Sequence, residues 1–317
     1  MKKILVTGAL GQIGSELVPF LRNIYGNDNV ISSNRTAKES SKSAMEGLFE
    51  IVDVQDAQRI ADVVKKYNVD SIIHLAALLS AVGEANPTKA WNVNMGGLFN
   101  VLEVARELKC SVFTPSSIAA FGPATPKVKT PQDTLQRPTT MYGVTKVSGE
   151  ILSDYYHLKY GVDTRGVRFP GLISNVALPG GGTTDYAVHI YYDAIKQGKY
   201  TCYIKKGTYM DMMYLPDALN AIVKLAEADP SKLVHRNAFN ITAMSFAPED
   251  IYAEIKKHIP SFKMDYDVDP VRQAIAVSWP DSLDDSAARS EWGWKPEYDL
   301  ASMTEDMLKK LKVKLSK

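Results

Sequence analysis

Apolar runs and amphipathic stretches alternate through the first half of the chain. Six runs rich in valine and isoleucine predict strands: KILVTGA, NVISSN, LFEIVDV, SIIHLAA, CSVFTPSS and VDTRGVRF. Between them, stretches that begin near Gln12, Gln55, Pro87 and Tyr142 predict helices. Strands that alternate with helices indicate βαβ units and a parallel sheet covered on both faces. We therefore predict a Rossmann doubly wound α/β fold, with its ligand at the carboxyl ends of the strands.

The pattern loosens after Pro170. Residues 171–188 (GLISNVALPGGGTTDYAV) predict a long loop rich in glycine and proline, and such loops in compact proteins are often functional. Beyond it, helical and strand-like segments continue to an amphipathic C-terminal stretch that predicts a helix. We predict a dinucleotide-binding core over residues 1–170. Residues 171–317 would form a smaller α/β lobe that binds substrate and returns some segments to the first sheet.

Composition narrows the class of protein. The 317 residues are 45% hydrophobic and 23% charged, which is typical of a soluble globular chain. The formal net charge of +1, without a basic block, does not favour a nucleic-acid partner. No apolar run has the length of a membrane span and no signal-peptide pattern precedes the first strand, so we expect no membrane partner and a cytoplasmic protein. We expect Cys110 and Cys202 to be small buried residues, since two cysteines do not make a disulfide framework.

The first strand runs directly into three glycines, Gly8, Gly11 and Gly14. Such a strand, tight turn and helix start aims backbone N–H groups and the positive end of a helix dipole at a phosphate. We expect a dinucleotide here, contacted by these glycines and by the helix start at Gln12 and Ile13.

The end of the second strand departs from the usual NAD site. An acidic residue normally binds the adenosine ribose there, but this chain has Asn34 followed by Arg35. Loss of the acid removes repulsion against a 2′-phosphate, and the adjacent guanidinium could bind it. Arg35 is otherwise a surface arginine that stacks on adenine or is simply solvated. These residues favour NADP.

A serine, a tyrosine and a lysine recur at separations that fit one chemistry. Ser116 and Ser117 end the fifth predicted strand, and Tyr142 and Lys146 lie one helical turn apart. A lysine ammonium near a phenol lowers the phenol pKa, so that the phenol can act as a general base near neutral pH. A serine hydroxyl nearby can hold the substrate oxygen. His74, inside SIIHLAA, predicts a buried, hydrogen-bonded histidine rather than a base. The five histidines have no metal-ligand spacing, so we expect no metal site.

Six motifs (TGALGQIG, HLAALLS, NVNMGG, PSSIAAFG, YGVTK and RFPGLIS) together resemble an extended short-chain dehydrogenase/reductase. The resemblance implies that Ser117 belongs to the catalytic set, that Tyr142 is the acid/base, and that Lys146 also holds the nicotinamide ribose. It implies that Asp53 and Val54 border the adenine. The remaining cofactor-binding residues expected are Leu75, Ala76, Ala77, Asn94 and Pro170.

The second half is similar to the short-chain-type L-threonine 3-dehydrogenases, above all from PGGGTTDYAV to YLPDALNAI. This implies oxidation of the Cβ hydroxyl of L-threonine to 2-amino-3-oxobutyrate, with NAD before NADP as cofactor, in a homodimer. Nucleotide-sugar members of the family usually carry a phosphate-binding arginine where this chain has Met210, just before Asp211. Because methionine cannot clamp a phosphate, we expect a small substrate.

The expected substrate contacts come from both halves of the chain. They are Ser80, Ser117, Tyr142, Gly182, Thr183 and Thr184. Asp185 would either face the substrate ammonium or cap the following helix. Arg168 and Arg272 would either line the site or serve as ordinary ion-pair partners. Two other functions stay open, a nucleotide-sugar epimerase or dehydratase and a non-catalytic dinucleotide sensor. The serine, tyrosine and lysine, present in their expected order, favour an enzyme.

Overall fold

The computed structural model describes residues 1–37, 45–176 and 181–316. The chain divides into two compact units. The first comprises Met1–Ala120, Pro138–Arg168 and Leu219–Phe239, and the second comprises Phe121–Arg137, Phe169–Ala218 and Asn240–Lys317. The assignment of cofactor binding to one unit and substrate binding to the other stays a prediction.

The first unit is built on a six-stranded parallel sheet, which confirms the predicted Rossmann-like α/β fold. Its strands are β1 (Ile4–Thr7), β2 (Val30–Asn34), β3 (Phe49–Ile51), β4 (Ser71–His74), β5 (Ser111–Phe113) and, after the short β6 (Ser116–Ser117), β7 (Thr164–Arg165). They lie in the order β3-β2-β1-β4-β5-β7. Every residue of β1 and β4 is buried, as expected for central strands covered on both faces.

Helices follow the strands in the first unit. They are α1 (Gln12–Tyr25), α2 (Ala57–Tyr67), α3 (Ser80–Ala85), α4 (Pro87–Trp91), α5 (Gly97–Leu108) and α6 (Met141–Tyr160). The helix predicted near Gln55 begins at Ala57, because the Asp56 carboxylate accepts the Arg59 N–H at 2.9 Å and caps it. A π-helical turn over Asn92–Gly96 joins α4 to α5.

Two predicted strands are each split between two sheets. Pro115 has no N–H for a ladder, so the fifth run divides into β5 and β6, and Ser116 and Ser117 do not end the fifth strand as predicted. The last run divides at Gly166 into β7 and β8 (Val167–Phe169). A Cβ at Gly166 would lie 2.5 Å from the Thr114 carbonyl oxygen, so the two split strands approach each other closely there. β8 pairs with β6, which places the serine pair in a separate small sheet.

The second unit has its own sheets and core. Its strands are β9 (Gly171–Ile173), β10 (Lys199–Cys202), β11 (Met210–Tyr214), β13 (Met244–Phe246) and β14 (Lys263–Tyr266). The strand between β11 and β13 in the chain, β12 (Phe239–Asn240), belongs to the small sheet of β6 and β8. The helices are α7 (Tyr186–Lys196), α8 (Leu215–Glu227), α9 (Pro248–His258), α10 (Pro270–Ala276), α11 (Ser286–Trp292) and α12 (Leu300–Leu315). α8 begins in the second unit and continues in the first.

Residues 171–188 begin with a strand and not with the loop that was predicted there. β9 occupies their start, because it gains a parallel partner in β11 that lies about 40 positions further along the chain. Helix α7 begins before their end, and residues 177–180 lie outside the described part. Within the described ranges, no helix is long and apolar enough to cross a membrane. Over the same ranges, no three His, Cys, Asp or Glu side chains meet where a metal ion could bind.

Candidate active site

The glycine turn after β1 excludes side chains by geometry. Gly8 has φ +68°, and a Cβ at that position would lie 2.6 Å from the Ala76 nitrogen. A Cβ at Gly14 would lie 2.6 Å from the Cα of Ala9, so α1 packs directly on the turn. Gly11 is the N-cap of α1 and has no side chain to cover the helix end. Bare backbone at a helix N-terminus fits the pyrophosphate of a dinucleotide.

The other expected cofactor residues of the first unit lie at the same edge of the sheet. Leu75, Ala76 and Ala77 directly follow β4, and Ala76 lies beneath Gly8. After β3, the Asp53 carboxylate accepts the Gln55 N–H at 3.0 Å, and the Val54 carbonyl accepts from the Asn100 amide at 3.0 Å. This edge is the carboxyl end of the sheet, where ligands of doubly wound folds bind.

The end of β2 carries no carboxylate in the structure. The Asn34 side chain donates to the Thr36 carbonyl at 2.8 Å and so stabilises its own turn, while Arg35 is exposed. The Ser33 hydroxyl is buried and donates to the Val6 carbonyl at 3.1 Å. The roles of Asn34 and Arg35 in the choice between NAD and NADP stay predictions.

Tyr142 lies in the first turn of α6. Thr140 caps this helix by accepting the Gly143 N–H at 3.1 Å. A Cβ at Gly143 would lie 2.2 Å from the Ala119 carbonyl oxygen and 2.5 Å from Pro138 Cβ. The helix start therefore packs tightly against the 3₁₀ turn (Ile118–Ala120) that follows Ser117. Sequence analysis missed Gly143, and its signal was a glycine in the first turn of a helix, where glycine is disfavoured.

Lys146 lies beside Tyr142 on the same face of α6. Its Nζ is 5.3 Å from the centroid of the tyrosine ring and donates to the Pro115 carbonyl at 2.7 Å. In the segment after Pro115, the Ala119 N–H donates to the Ser117 hydroxyl at 3.2 Å. The lysine thus joins the tyrosine helix to the serine segment. The catalytic roles of the three residues stay predictions.

His74, at the end of β4, is buried and bound to a neighbouring strand. Its Nδ1 lies 2.8 Å from the Thr7 hydroxyl. Burial, and then the nearby charge of Lys146, lower the pKa of His74 to about 3, so the imidazole is neutral at physiological pH. The structure therefore agrees with a buried, hydrogen-bonded histidine. A neutral ring adds no second positive charge beside the lysine.

Asn94 sits in the π-helical turn and binds the loop after β4 to α6. Its amide accepts the Leu78 N–H at 2.8 Å, donates to the Leu78 carbonyl at 3.1 Å, and donates to the Thr145 hydroxyl at 3.1 Å. Asn94, His74 and Lys146 also line a cavity of about 40 Å³. Within the described ranges, the buried Ser153 Oγ of its wall has no hydrogen-bond partner, so the cavity is polar and has room for ordered water.

The expected substrate residues lie in both units. In the first unit, Ser80 is 6% exposed and begins α3. In the second unit, Thr183 is buried, and the Thr184 side chain packs on Gly171, where a Cβ would lie 2.7 Å from Thr184 Cγ2. Pro170 lies just before β9 and is buried.

The Asp185 side chain does not cap α7, which was one of its two predicted roles, and its role toward the substrate ammonium stays a prediction. Its carboxylate accepts the N–H groups of Gly181 at 2.8 Å and Gly182 at 2.5 Å, and it makes no side-chain capping bond to α7. It therefore holds the glycine segment that precedes Thr183. Burial raises the pKa of this carboxyl group, and the two N–H bonds oppose that shift.

Met210 stands where nucleotide-sugar members of the family usually carry a phosphate-binding arginine, and Asp211 follows it. Met210 is fully buried in the core of the second unit. Asp211 accepts the Thr242 hydroxyl at 2.6 Å and the Leu283 N–H at 2.9 Å. Burial raises the pKa of Asp211 to about 8. Met210 thus lies in apolar surroundings, and the carboxylate of Asp211 is hydrogen-bonded to groups of the protein itself.

Comparison with known proteins agrees with this geometry. Residues 4–242 match the model of the NAD-dependent epimerase/dehydratase family. The chain belongs to that family. A curated relative from Staphylococcus haemolyticus, called an uncharacterized epimerase/dehydratase, is 59% identical over 314 residues, covering 99% of each chain.

Solved structures point to one branch of the family. An L-threonine dehydrogenase from Clostridium difficile is 66% identical, with a TM-score of 0.98 over 99% of this chain and 98% of that one. A monomeric L-threonine 3-dehydrogenase from a metagenome is 44% identical, with a TM-score of 0.94 over 99% of this chain and 100% of that one. The predicted resemblance to extended short-chain dehydrogenases/reductases is confirmed, and so is a nicotinamide-dependent oxidoreductase.

Proposed function

We propose that this enzyme is an L-threonine 3-dehydrogenase, which oxidises the Cβ hydroxyl of L-threonine to 2-amino-3-oxobutyrate. The observation that carries the proposal is the similarity, over nearly the whole chain, to the solved L-threonine dehydrogenase from Clostridium difficile. The buried Met210 supports a small substrate, since its thioether offers a diphosphate no charge-assisted hydrogen bond.

Three residues of the first unit are assigned separate roles in the reaction. Tyr142 takes the proton of the substrate hydroxyl, and the Ser117 hydroxyl holds the same oxygen. Lys146, anchored on the Pro115 carbonyl, places its ammonium group beside the Tyr142 ring. A bound nicotinamide would supply the acceptor for the hydride of Cβ. Lys146 would also hold the ribose of the same cofactor.

The amino-acid head of the substrate is assigned to a small set of hydroxyl and backbone groups. They are Ser80, Gly182, Thr183 and Thr184. The bonds from Gly181 and Gly182 to Asp185 support this assignment, because they hold the backbone before the two threonines in one conformation. Asp185 is thereby a support for the segment rather than a ligand of the ammonium.

NAD is the proposed cofactor, with NADP as the alternative. The family description favours NAD dependence. Asn34 stands where NAD enzymes usually carry an acidic residue, and this, together with the exposed Arg35, favours NADP. The proposed binding residues are those at the carboxyl edge of the sheet, with Lys146, Tyr142 and Pro170.

A homodimer is proposed from the exposed face of α6. Val144, Ile151 and Leu158 follow at seven-residue intervals and are 38%, 62% and 83% exposed, and Phe99 of α5 is 49% exposed. A stripe of this kind on a soluble protein indicates a helical partner, and a second copy would supply the same stripe. Light scattering tests this, with a monomer as the contradicting result. The cytoplasmic location stays a prediction.

The curated relatives named epimerase/dehydratase support a second candidate, conversion of a nucleotide sugar. A non-catalytic dinucleotide sensor is the third, and nothing beyond the fold supports it. Turnover separates all three. The protein is assayed with NAD or NADP. Reduced nicotinamide at 340 nm reports oxidation of L-threonine, whereas conversion of a UDP-sugar, which regenerates the cofactor, is followed by chromatography of the sugar nucleotide.

Tyr142→Phe is the matched test of the mechanism. It removes one hydroxyl, and we expect turnover of L-threonine to fall about 100-fold or more while dinucleotide affinity is kept. Tyr160→Phe, at the exposed end of the same helix, should retain full turnover. Protein that binds dinucleotide but reduces neither cofactor with L-threonine would contradict the proposed function.

A further inference from the structure

A buried carboxylate continues the catalytic face of α6. Tyr142, Lys146 and Glu150 follow one another at four-residue intervals and so lie on one side of the helix. The Glu150 side chain is 7% exposed and forms a two-point ion pair with Arg168, whose side chain is 8% exposed. Arg168 Nε lies 3.1 Å from Oε1 and Nη2 lies 2.9 Å from Oε2.

The same carboxylate reaches the segment that carries the catalytic serine. The Ser116 hydroxyl donates to Glu150 Oε1. The residue before it, Pro115, accepts from Lys146 Nζ, and the residue after it is Ser117. Two successive residues of the serine segment are therefore bonded to two side chains that lie one helical turn apart on α6.

Arg168 brings a third element into this contact. It lies on β8, the strand that pairs with β6. Glu150 thus joins α6 to Ser116 of β6 and Arg168 of β8, and these three residues all belong to the first unit. A displacement of Ser116 relative to α6 would have to break either its hydrogen bond to Glu150 or the ion pair behind it.

Stability alone does not account for this arrangement. A buried ion pair contributes little net stability compared with well-packed apolar residues, because both charges lose their hydration. The bond from Ser116 also connects the ion pair to the residue directly before Ser117.

We propose that Glu150 is a positioning residue, which acts through Ser116 to hold the Ser117 hydroxyl in register with Tyr142 and Lys146. This inference depends on the proposed function only for the reaction by which turnover is measured. A misplacement of about 1 Å near reacting groups can cost roughly 100-fold in rate.

The chain offers a control carboxylate that pairs with buried arginine without this contact, although its own side chain is 37% exposed. Asp163 binds Arg165, whose side chain is 7% exposed, at 2.9 Å and also binds Arg236. These partners lie in the first unit, and the Asp163 carboxylate is bonded to neither Ser116 nor Lys146. Asp163→Asn therefore reports the cost of removing a carboxylate charge from two arginines whose side chains are 7% and 11% exposed.

The test compares Glu150→Gln, Ser116→Ala, the double variant and Asp163→Asn in the dinucleotide-bound protein. We expect kcat for L-threonine to fall about tenfold or more in each of the first two, in line with the sensitivity of rate to position. The double variant should lose no more than the worse single variant, because both changes break one link. Asp163→Asn should keep kcat within about twofold, whatever its melting temperature.

Each contrary outcome has a defined meaning. A Glu150→Gln variant that loses no more kcat than Asp163→Asn, or losses that multiply in the double variant, would overturn the proposal. If Glu150→Gln does not fold, Ser116→Ala decides, since it leaves the ion pair in place, and unchanged kcat there would overturn it as well.

A readout without substrate separates this inference from the proposed function. If wild-type protein does not oxidise L-threonine, hydrogen exchange of the Ser116–Ala119 amides still tests Glu150. We expect faster exchange there in Glu150→Gln than in Asp163→Asn. Equal exchange in the two variants would show that Glu150 does not hold the segment.

Discussion

The tightest contact near the candidate catalytic tyrosine is at Gly143, and it sets up a sharp test. In Gly143→Ala the new Cβ would lie 2.2 Å from the Ala119 carbonyl oxygen, 0.8 Å below the 3.0 Å that real Cβ contacts reach. The Ala119 carbonyl oxygen belongs to the backbone and cannot yield as the end of a flexible side chain would. The first turn of α6 or the turn after Ser117 must therefore move. A shift of this size changes the spacing of Tyr142 and Ser117.

Gly149→Ala on the same helix is the matched control. Its Cβ would lie 3.0 Å from Leu98 Cδ2, the end of a side chain that can yield. Both substitutions gain similar helix propensity, about 0.5–1 kcal/mol. The difference between the two variants therefore isolates the backbone clash, which we expect to lower the free energy of unfolding by about 1–3 kcal/mol.

Turnover should separate the two variants more strongly than stability does. We expect kcat for L-threonine to fall about 100-fold in Gly143→Ala and to stay near the wild-type value in Gly149→Ala. Dinucleotide affinity should hold in both, since the Gly8 turn is untouched. Urea unfolding, initial-rate kinetics and calorimetric titration with NAD measure the three quantities. Gly143→Ala with kcat within about threefold of wild type would refute the reasoning.

Three further predictions test other parts of the structure. Gly8→Ala should abolish measurable dinucleotide binding by calorimetry, because φ +68° and the 2.6 Å approach to Ala76 both exclude a Cβ, and retained affinity would contradict this. The pKa of His74 is lowered from 6.5 to about 3 by folding, so as the pH falls the unfolded chain takes up this proton before the folded chain does. The free energy of unfolding therefore decreases as the pH drops below 6.5. The expected slope in urea unfolding is about 1.4 kcal/mol per pH unit, and an unchanged slope in His74→Gln would contradict it. Asn34→Asp should shift the ratio of kcat/KM toward NAD over NADP, and an unchanged ratio would show that this side chain does not meet the ribose.

Local physics made much of the first unit predictable. Buried strands rich in valine and isoleucine, separated by amphipathic helices, determine a parallel sheet, and the glycine turn after β1 could be placed because only glycine tolerates its backbone and close approach. The face shared by Tyr142 and Lys146 follows from helical spacing alone. The neutral, buried state of His74 follows from its position in an apolar strand.

Contacts between residues far apart in the chain decided the rest. β9 becomes a strand only because β11 lies beside it, and Ser116 leaves the fifth strand because Pro115 ends one ladder while β8 offers another. The only local signal of Gly143 is a glycine in the first turn of a helix, and Glu150 has none. The role of Gly143 is defined by the Ala119 carbonyl, and that of Glu150 by Ser116 and Arg168. A sequence pattern records what a segment prefers by itself. The partner that completes a hydrogen bond or excludes a methyl group is set by the packed chain.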